Sequence, residues 1–405
     1  MWIPLENKLS SMKKNFYPVM VLLIITAISC SKTDLKPSAV TAAQNENSIA
    51  AGVKTGILTG SRTGFYLLNA ANGATVWNYR PGGALTNAVC SSTGCVYGNN
   101  VLFNLGDTLY SAVVRTGAVN WAVYFKHFRS AIYINNGKAY ISSPTSINCV
   151  NANNGALIWK MPFGSPDPRN QSSSPTMANG IVYVGGSTDG MLYALNASTG
   201  AVIWKQLVSK DGLALRAPTV ENSTVYMQGL DTLYALDGTS GTIEWKKYIP
   251  TNNNINSSPT IMNGKLYVPS DSLYCLNASD GSRIWAFRDT TTRNTDCYGN
   301  VFVTGDVVYA AFYDVFYKLD ANTGTVYPGW GNRLEAPATD FIVSSNDLLV
   351  IPGNDPAKLI ANKATNNTPV WSIPFNDRNS NDWCAPISIN SSGEVVYPTV
   401  SGMRP

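Results

Sequence analysis

Histidine and cysteine, which carry most metal, redox and nucleophilic chemistry, are few and scattered in this 405-residue chain. His127 is the sole histidine, which argues against multi-histidine metal sites and two-histidine mechanisms. The seven cysteines include no Cys-x-x-Cys spacing, so neither a zinc site nor thioredoxin-type redox chemistry is indicated. We therefore predict no catalytic site, no metal and no cofactor, and expect that the protein is not an enzyme.

Arginine is the residue type whose spacing does suggest binding, because it recurs at intervals along the chain, a few residues after successive tryptophans. The positions are Arg80, Arg129, Arg169, Arg216, Arg293, Arg333 and Arg378. Guanidinium groups that converge offer forked donors to carboxylates or phosphates. We take Arg169, Arg216, Arg293, Arg333 and Arg378 as a candidate binding face. Neighbouring acids, such as Asp211 and Glu335, leave ordinary solvated loop charge as the alternative.

The N-terminus predicts export and a lipid anchor. Lys13 and Lys14 precede an apolar run over residues 16–29, which is short for a bilayer span and typical of a secretory signal. Small residues directly before Cys30 resemble the lipobox of bacterial lipoproteins, in which this cysteine is lipidated. We assign residues 1–29 to an extension and signal peptide, 30–49 to a flexible tether, and 50–405 to the folded domain.

An internal repeat makes up most of the chain and would position the candidate residues. Glycine precedes tryptophan by four residues in six copies: Gly73/Trp77, Gly117/Trp121, Gly155/Trp159, Gly200/Trp204, Gly241/Trp245 and Gly281/Trp285. A seventh copy has Gly324 with a late Trp330, and an eighth has Asn367 with Trp371. A period near 42 residues, with four β-rich runs per unit, predicts an all-β, eight-bladed propeller of four-stranded antiparallel blades; seven blades is the alternative.

The turn before each tryptophan explains the glycine. Six copies place Asn or Asp four residues before the glycine, where a short polar side chain can hydrogen-bond to the backbone of its own turn: Asn69, Asn151, Asn196, Asp237, Asn277 and Asp320. The glycine then adopts a left-handed conformation, for which Asn367 is the best substitute. We expect the tryptophans to hold neighbouring blades together rather than to line a ligand site.

This pattern resembles the pyrroloquinoline-quinone-type β-propeller repeat with its tryptophan-docking motif. The resemblance extends over residues 53–400. It implies the fold, and it allows two kinds of function. Quinoprotein alcohol dehydrogenases belong to this family, and so does the propeller lipoprotein of the outer-membrane barrel-assembly machinery, which is not an enzyme. The enzymes carry adjacent cysteines, a calcium site and a catalytic aspartate, and no adjacent cysteine pair occurs in this sequence.

The other cysteines are interpreted from their places in the repeat. Cys149 and Cys275 stand where Ala194 and Ala235 stand in other copies and are predicted to be small core residues. Four more fall near the starts of blades and allow three disulfide pairings, which remain open: Cys90, Cys95, Cys297 and Cys384. Residues 385–390 are expected to complete the first blade and close the ring.

These observations predict a non-catalytic, lipid-anchored scaffold at the outer membrane of a Gram-negative envelope, facing the periplasm or the cell surface. Its partners would be proteins or peptides, and the membrane through the lipid. A net charge of +4 without a basic block argues against nucleic acid. A glycan-binding lipoprotein and a quinone-dependent dehydrogenase are the alternatives, the first because tyrosine and tryptophan are plentiful.

Overall fold

A computed structural model describes residues 55–374 and 387–390, apart from 62–63, 81–93, 129, 164–171, 187, 210–216, 251–257, 292–295, 298–299, 313–314, 334–340, 345–347 and 355–356. Eight sheets of four antiparallel strands make up this part of the chain, which confirms the eight-bladed propeller. Cys30 and the tether at 30–49 lie outside the described residues. No helix in the described part of the chain is long and apolar enough to cross a bilayer.

Each blade is a meander whose strands run outward from the axis in chain order. Blade 1 begins the series with β1 (Thr55–Ser61), β2 (Gly64–Asn69) and β3 (Thr75–Tyr79). Blade 2 comprises β4 (Cys95–Tyr97), β5 (Asn100–Leu105), β6 (Thr108–Val113) and β7 (Val119–Tyr124). Blade 3 comprises β8 (Tyr133–Asn135), β9 (Lys138–Ser143), β10 (Ser146–Asn151) and β11 (Leu157–Pro162). Blade 4 comprises β12 (Thr176–Ala178), β13 (Ile181–Gly185), β14 (Met191–Asn196) and β15 (Val202–Leu207).

The second half of the ring repeats this order. Blade 5 comprises β16 (Thr219–Glu221), β17 (Thr224–Gln228), β18 (Thr232–Asp237) and β19 (Ile243–Tyr248). Blade 6 comprises β20 (Thr260–Met262), β21 (Lys265–Pro269), β22 (Leu273–Asn277) and β23 (Arg283–Phe287). Blade 7 comprises β24 (Phe302–Thr304), β25 (Val307–Phe312), β26 (Val315–Asp320) and β27 (Asn332–Arg333). Blade 8 comprises β28 (Ile342–Ser344), β29 (Leu348–Asn354), β30 (Ala357–Lys363) and β31 (Pro369–Pro374).

The ring closes by a strand from the C-terminal end of the chain. β32 (Ile387–Asn390) pairs antiparallel with β1, from Thr55 opposite Asn390 to Leu58 opposite Ile387. It supplies the innermost strand that blade 1 otherwise lacks, and it lies beside β28 of blade 8. The predicted closure therefore holds, and the sheet edge that blade 1 would otherwise leave open is paired. The further strand suggested by residues 394–400 falls outside the described residues.

The core is divided among the eight interfaces between blades. Each interface holds one cluster of buried apolar side chains contributed by two adjacent blades. Between blades 8 and 1, for example, Ile57 and Leu68 pack with Val350 and Leu359. A middle strand is therefore covered on both faces, which explains why these strands are apolar almost throughout. The outermost strands alternate instead between exposed and half-buried residues.

Tryptophan joins each blade to the next. Among the described residues, six indole Nε1 groups donate to a backbone carbonyl of the following blade at 2.7–3.1 Å: Trp77 to Val114, Trp159 to Ala197, Trp204 to Gly238, Trp245 to Ala278, Trp285 to Ala321, and Trp371 to Ala70. The bond from Trp371 to Ala70 runs from blade 8 to blade 1 and so completes the ring. Trp121 and Trp330 are not among these six, and the buried Nε1 of Trp121 has no partner within the described residues.

The repeat glycine is the surface on which the preceding blade's tryptophan rests. Gly200 has φ +74°, and a Cβ placed there would lie 2.6 Å from Cε3 of Trp159. The other repeat glycines share the left-handed backbone, with φ between +70° and +75°: Gly73, Gly117, Gly155, Gly241, Gly281 and Gly324. Each also faces a tryptophan of the previous blade. Glycine is thus needed twice over, for the backbone conformation and for the space.

The two irregular copies meet at a single interface. Asn367 of blade 8 has φ +58°, and its Cβ stands where the other blades keep a glycine. The tryptophan that would rest there belongs to blade 7, and in that blade Trp330 comes two residues late, before a short β27. Trp330 packs instead beside Phe316 and Phe341. The late tryptophan of blade 7 and the missing glycine of blade 8 therefore belong to the same altered interface.

The polar residue four positions before the glycine accepts the turn's own N–H groups. Oδ1 of Asn196 accepts from the N–H of Ser198 at 2.9 Å, and Asn151 and Asn69 do the same in their turns. Asp237 accepts from the backbone and hydroxyl groups of Thr239 and Ser240, which lowers the pKa of its carboxyl to about 2. The charged form is therefore the one that holds this turn.

A row of tyrosines, which the repeat pattern did not predict, shares the tryptophans' acceptors. Tyr140 donates to Ala197, Tyr183 to Gly238, Tyr226 to Ala278, and Tyr267 to Ala321, at 3.0–3.3 Å, so each of these four carbonyls accepts both an indole and a phenol. Burial raises the pKa of Tyr226 to about 12, which keeps its hydroxyl a donor at neutral pH. The available signal was an apolar residue followed by tyrosine in the second strand of blades 3 to 7.

The indole hydrogen bond is tested by one substitution at two repeat positions. Trp159→Phe keeps a ring but removes the donor to Ala197, whereas Trp121→Phe removes a donor that has no partner. We expect Trp159→Phe to lower the free energy of unfolding by about 1 kcal/mol more than Trp121→Phe, the net contribution of a hydrogen bond. Urea denaturation measures the difference, and equal losses would contradict the proposed role of the bond.

The contact between glycine and tryptophan is tested by a matched pair of alanine variants. Gly180 has φ +75° and open space where a Cβ would be, whereas Gly200 has φ +74° and Trp159 there. Gly180→Ala should cost only the left-handed backbone term, roughly 1–2 kcal/mol. Gly200→Ala should cost about 1–3 kcal/mol more, because the indole must move. Similar thermal shifts for the two variants would show that the backbone alone requires glycine.

Candidate functional site

The two ends of the propeller differ in what they present. The turns between the first and second strands, and between the third and fourth, lie at one end, which we call the hairpin face. The turns between the second and third strands lie at the other end, together with the connections between blades; we call this end the connection face. The docking tryptophans lie in outer strands and their glycines in turns of the hairpin face. The connection face instead carries the segments between blades, which do not share this repeated motif.

The candidate arginines are placed only in part. Arg169, Arg216, Arg293 and Arg378 lie outside the described residues, as does Arg129. Arg333 is not in a connection as the sequence suggested, because its backbone ends β27 opposite Val315. The insertion before Trp330 moves that strand later along the chain. Arg80 is described in full, and its Nη2 donates to the hydroxyl of Tyr66 at 3.2 Å.

Four grooves between blades on the connection face are built alike, from a tyrosine that is constant and a facing residue that varies. A tyrosine on the third strand of one blade meets the fourth residue after the tryptophan of the previous blade. The pairs are Tyr193 with Phe163, Tyr234 with Val208, Tyr274 with Ile249, and Tyr317 with Asp289. The constant tyrosine thus faces an aromatic ring, a branched aliphatic side chain in two grooves, or a carboxylate. The grooves therefore differ in shape and charge.

Two of these grooves are polar as well as aromatic. Between blades 6 and 7, the buried Asp289 accepts from the Tyr317 hydroxyl at 2.9 Å and from Thr291 at 2.7 Å. Burial, helped by this carboxylate, raises the pKa of Tyr317 to about 12. Between blades 3 and 4, the hydroxyl of Tyr193 donates to Asp189 of its own blade. The phenols of Tyr317 and Tyr193 are therefore neutral hydrogen-bond donors at neutral pH.

Between blades 4 and 5 the groove opens into a cavity of about 510 Å³. Its walls are Val208, Ser209, Leu230, Asp231, Thr232, Tyr234, Lys246 and Tyr248. Val208 and Ser209 follow the outer strand of blade 4, and Leu230 and Asp231 form the turn between β17 and β18. The cavity therefore opens on the connection face, where it combines an aromatic wall with charges of both signs.

The cysteines offer no activated thiol in the described part of the chain. Cys149 and Cys275 are fully buried opposite Trp159 and Trp285, as small core residues would be. Burial raises the pKa of each thiol to about 12, and it also raises that of Cys297. Cys95 is buried in β4. Cys90 and Cys384 lie outside the described residues, so the pairings that involve either of them stay a prediction.

The side chains that the structure describes are not brought together in the way that a quinone centre with its calcium ion would need. The sequence lacks adjacent cysteines, and His127 occupies a half-buried turn with φ +57°. Within the described ranges, no three His, Cys, Asp or Glu side chains come close enough to hold a metal. The donor set that such a group would need is therefore not brought together by the residues the structure describes.

One curated protein and three solved structures are similar to this chain. A tetrathionate hydrolase from Acidithiobacillus ferrooxidans is 25% identical over 190 residues, which cover 41% of this chain and only 36%, about a third, of that enzyme. BamB from Moraxella catarrhalis is similar in structure, with a TM-score of 0.59 and 21% identity over 74% of this chain and 91% of that one.

Two further solved structures share the architecture with other functions. A europium-containing methanol dehydrogenase has a TM-score of 0.55 at 13% identity, covering 76% of this chain and 80% of its own. The C-terminal WD40 domain of Sif2 has a TM-score of 0.60 at 12% identity, covering 78% and 95%. At such identities these structures establish the propeller fold alone.

The family model described as outer membrane protein assembly factor BamB matches residues 143–373, from the end of β9 through the docking tryptophan of blade 8. That span is more than half of the chain and contains six of the eight repeat tryptophans. The chain belongs to the BamB family of outer membrane assembly factors.

Proposed function

We propose that this protein is a lipid-anchored, non-catalytic scaffold that holds protein partners on its connection face at the outer membrane. The observation that carries the proposal is the family match over residues 143–373, whose description names outer membrane protein assembly. The lipobox-like sequence before Cys30 supports the anchor. The irregular grooves of the connection face, each built on a tyrosine, support a protein-binding surface.

The arginines contribute electrostatic recognition in this proposal. Along the chain, Arg169, Arg216, Arg293 and Arg378 come after the outer strand of a blade, and Arg333 ends β27. In this proposal their guanidinium groups face the partner. They stay charged at any working pH and pair with carboxylates in forked geometry. The partner would then present acidic groups, and the association would weaken with salt, since exposed charges are screened within about 10 Å at 0.1 M ionic strength.

The enzyme and lectin alternatives make different predictions for the purified protein. Similarity to tetrathionate hydrolase and to methanol dehydrogenase motivates an assay for tetrathionate hydrolysis and one for quinone-dependent dye reduction. A glycan array tests the lectin. The scaffold proposal expects no turnover in either enzyme assay and no saturable glycan signal. Turnover or saturable glycan binding by the wild type would contradict the scaffold proposal.

Removal of the anchor is the first test. Cys30→Ser deletes the thioether that would carry the lipid, so the protein should move from the membrane pellet to the soluble fraction after export. Cys384→Ser is the matched control, because it also removes one sulfur but lies at the other end of the chain. If Cys30→Ser stays with the membrane as the wild type does, the anchor is elsewhere.

Charge removal on one face is the second test. The triple variant Arg216→Gln, Arg293→Gln, Arg333→Gln should weaken capture of the partner from solubilised membranes at least ~10-fold, if each lost pair contributes about 0.5 kcal/mol or more. The control Arg115→Gln, Lys265→Gln, Arg283→Gln removes the same charge at the hairpin-face end and should bind normally. Capture that is unchanged in the first triple variant, and insensitive to salt, would reject the arginine face.

A further inference from the structure

The outer surface of blades 3 and 4 combines aliphatic side chains with positive charge. In each blade two aliphatic residues precede the docking tryptophan and a lysine follows it: Leu157, Ile158 and Lys160 in β11, and Val202, Ile203 and Lys205 in β15. The four aliphatic side chains are 43–56% exposed, and both lysines are exposed as well. Neither strand contains an acidic residue. We call these six residues the basic rim.

The two strands of the basic rim form one surface because the docking contact joins them. Gly200 of blade 4 lies against the indole of Trp159 of blade 3. Gly200 comes two residues before Val202, and Trp159 directly follows Ile158, so this contact brings the aliphatic pairs of the two blades side by side. Single exposed apolar side chains are ordinary, whereas four of them on neighbouring strands, together with two lysines, indicate a surface with a partner.

The other six blades lack this combination. In five of them the residue directly after the repeat tryptophan is Asn78, Ala122, Ala286, Gly331 or Ser372. Blade 5 has Lys246 there, but it carries Glu244 at the position of the isoleucine. Blade 8 keeps an exposed Val370 before its tryptophan without a charge beside it, and it lies opposite blade 4 in the ring. The basic rim is therefore confined to one side of the propeller.

The composition of the basic rim favours a lipid surface over a protein. Tyrosine, tryptophan and arginine dominate protein interfaces, where lysine is depleted, and the basic rim has none of the first three. Aliphatic side chains beside lysines match an anionic leaflet instead, since the carbon enters the boundary below the head groups while the ammonium groups meet the phosphates. A second copy of the chain would place lysine against lysine, which is unfavourable.

We propose that the basic rim rests on the anionic phospholipid surface of the membrane, so that the propeller stands on its edge and leaves both end faces free for partners. This proposal rests on the proposed function, because it takes the lipid at Cys30 as the group that holds the protein near the membrane. The contact of the basic rim is weak by itself and orients a protein that the lipid already anchors.

The length of chain between the anchor and the propeller is compatible with this orientation. Twenty-four residues separate Cys30 from Thr55, where blade 1 begins. A flexible chain of that length spans roughly 25–30 Å on average, and about 80 Å when fully extended. It can therefore reach past blade 2 to the side of the ring that carries the basic rim, and it raises the local concentration of head groups around these residues.

The test measures binding of the unlipidated chain to vesicles. The chain without its signal peptide, carrying Cys30→Ser, is sedimented with vesicles of equal parts phosphatidylglycerol and phosphatidylcholine, or of phosphatidylcholine alone. Low ionic strength makes the contact strong enough to measure without the lipid anchor. We expect at least ~10-fold stronger binding to the anionic vesicles, a factor that corresponds to about 1.4 kcal/mol. Equal binding to both kinds of vesicle, or none to the anionic kind, would overturn the proposal.

A matched pair of substitutions in the same unlipidated chain locates the apolar part of the contact. Ile203 and Val370 each stand directly before a docking tryptophan and are 45% and 40% exposed, on opposite sides of the ring. Ile203→Gln should weaken binding to anionic vesicles roughly 5-fold, because it removes apolar area that enters the leaflet. Val370→Gln should bind as the unsubstituted chain does, and neither change should alter the unfolding temperature. Equal losses in the two variants would contradict the placement.

A second pair tests the charges. Lys160→Gln with Lys205→Gln should reduce the preference for anionic over neutral vesicles at least ~10-fold, since each lysine near such a surface is attracted by its potential. Lys126→Gln with Lys363→Gln removes the same charge from exposed positions in blades 2 and 8 and should keep the preference. A preference that survives in the first double variant, or falls equally in both, would overturn the role of the basic rim.

The results separate this proposal from the proposed function. Failed vesicle binding with normal release of Cys30→Ser from membranes in cells would overturn the basic rim and leave the anchored scaffold standing. Vesicle binding as expected, with Cys30→Ser retained by the membrane, would support the rim and contradict the anchor. Self-association that Ile203→Gln abolishes would assign the surface to a second copy, and loss of a captured protein with unchanged vesicle binding would assign it to a protein; either result would overturn the proposal.

Discussion

The propeller depends on one contact repeated around the ring, in which an indole lies on the glycine of the next blade and donates to a carbonyl of that blade. Four-stranded sheets of this size are too small to bury a core alone. Each interface between blades is therefore a hydrophobic core of its own, and at six of them the tryptophan also bonds one blade to the next. The tyrosines that share its acceptor carbonyl add a second donor at four interfaces.

Much of this could be predicted from the sequence because the contact uses rare residues at fixed spacing. The glycine-to-tryptophan distance, the polar residue that starts the turn and the period near 42 residues led to eight blades and to closure by a C-terminal strand. The tyrosine row was overlooked because tyrosine is frequent in strands, and its partner lies in the next blade, more than 50 residues away. Only the structure pairs such distant residues.

The candidate site was harder to predict than the fold, for a physical reason. Packing between blades imposes the same residues on every copy, whereas the connection face is free of that requirement and varies from groove to groove. Sequence spacing could therefore point to arginines near the connections, but it placed Arg333 in a connection when an insertion moves it into β27. The cavity beside Tyr234 was also missed, since its walls come from two blades whose juxtaposition the sequence spacing does not show.

The division between a uniform packing motif and a variable face explains how a BamB-family propeller can serve as a scaffold: the ring is held by the hairpin turns and outer strands, which leaves the other end for partners. Site-specific photo-cross-linking in living cells tests this most directly, with the cross-linking residue at Thr232 on the connection face or at Thr199 on the hairpin face. We predict a discrete adduct of one partner from position 232 and none from position 199. Adducts from position 199 alone would contradict the account.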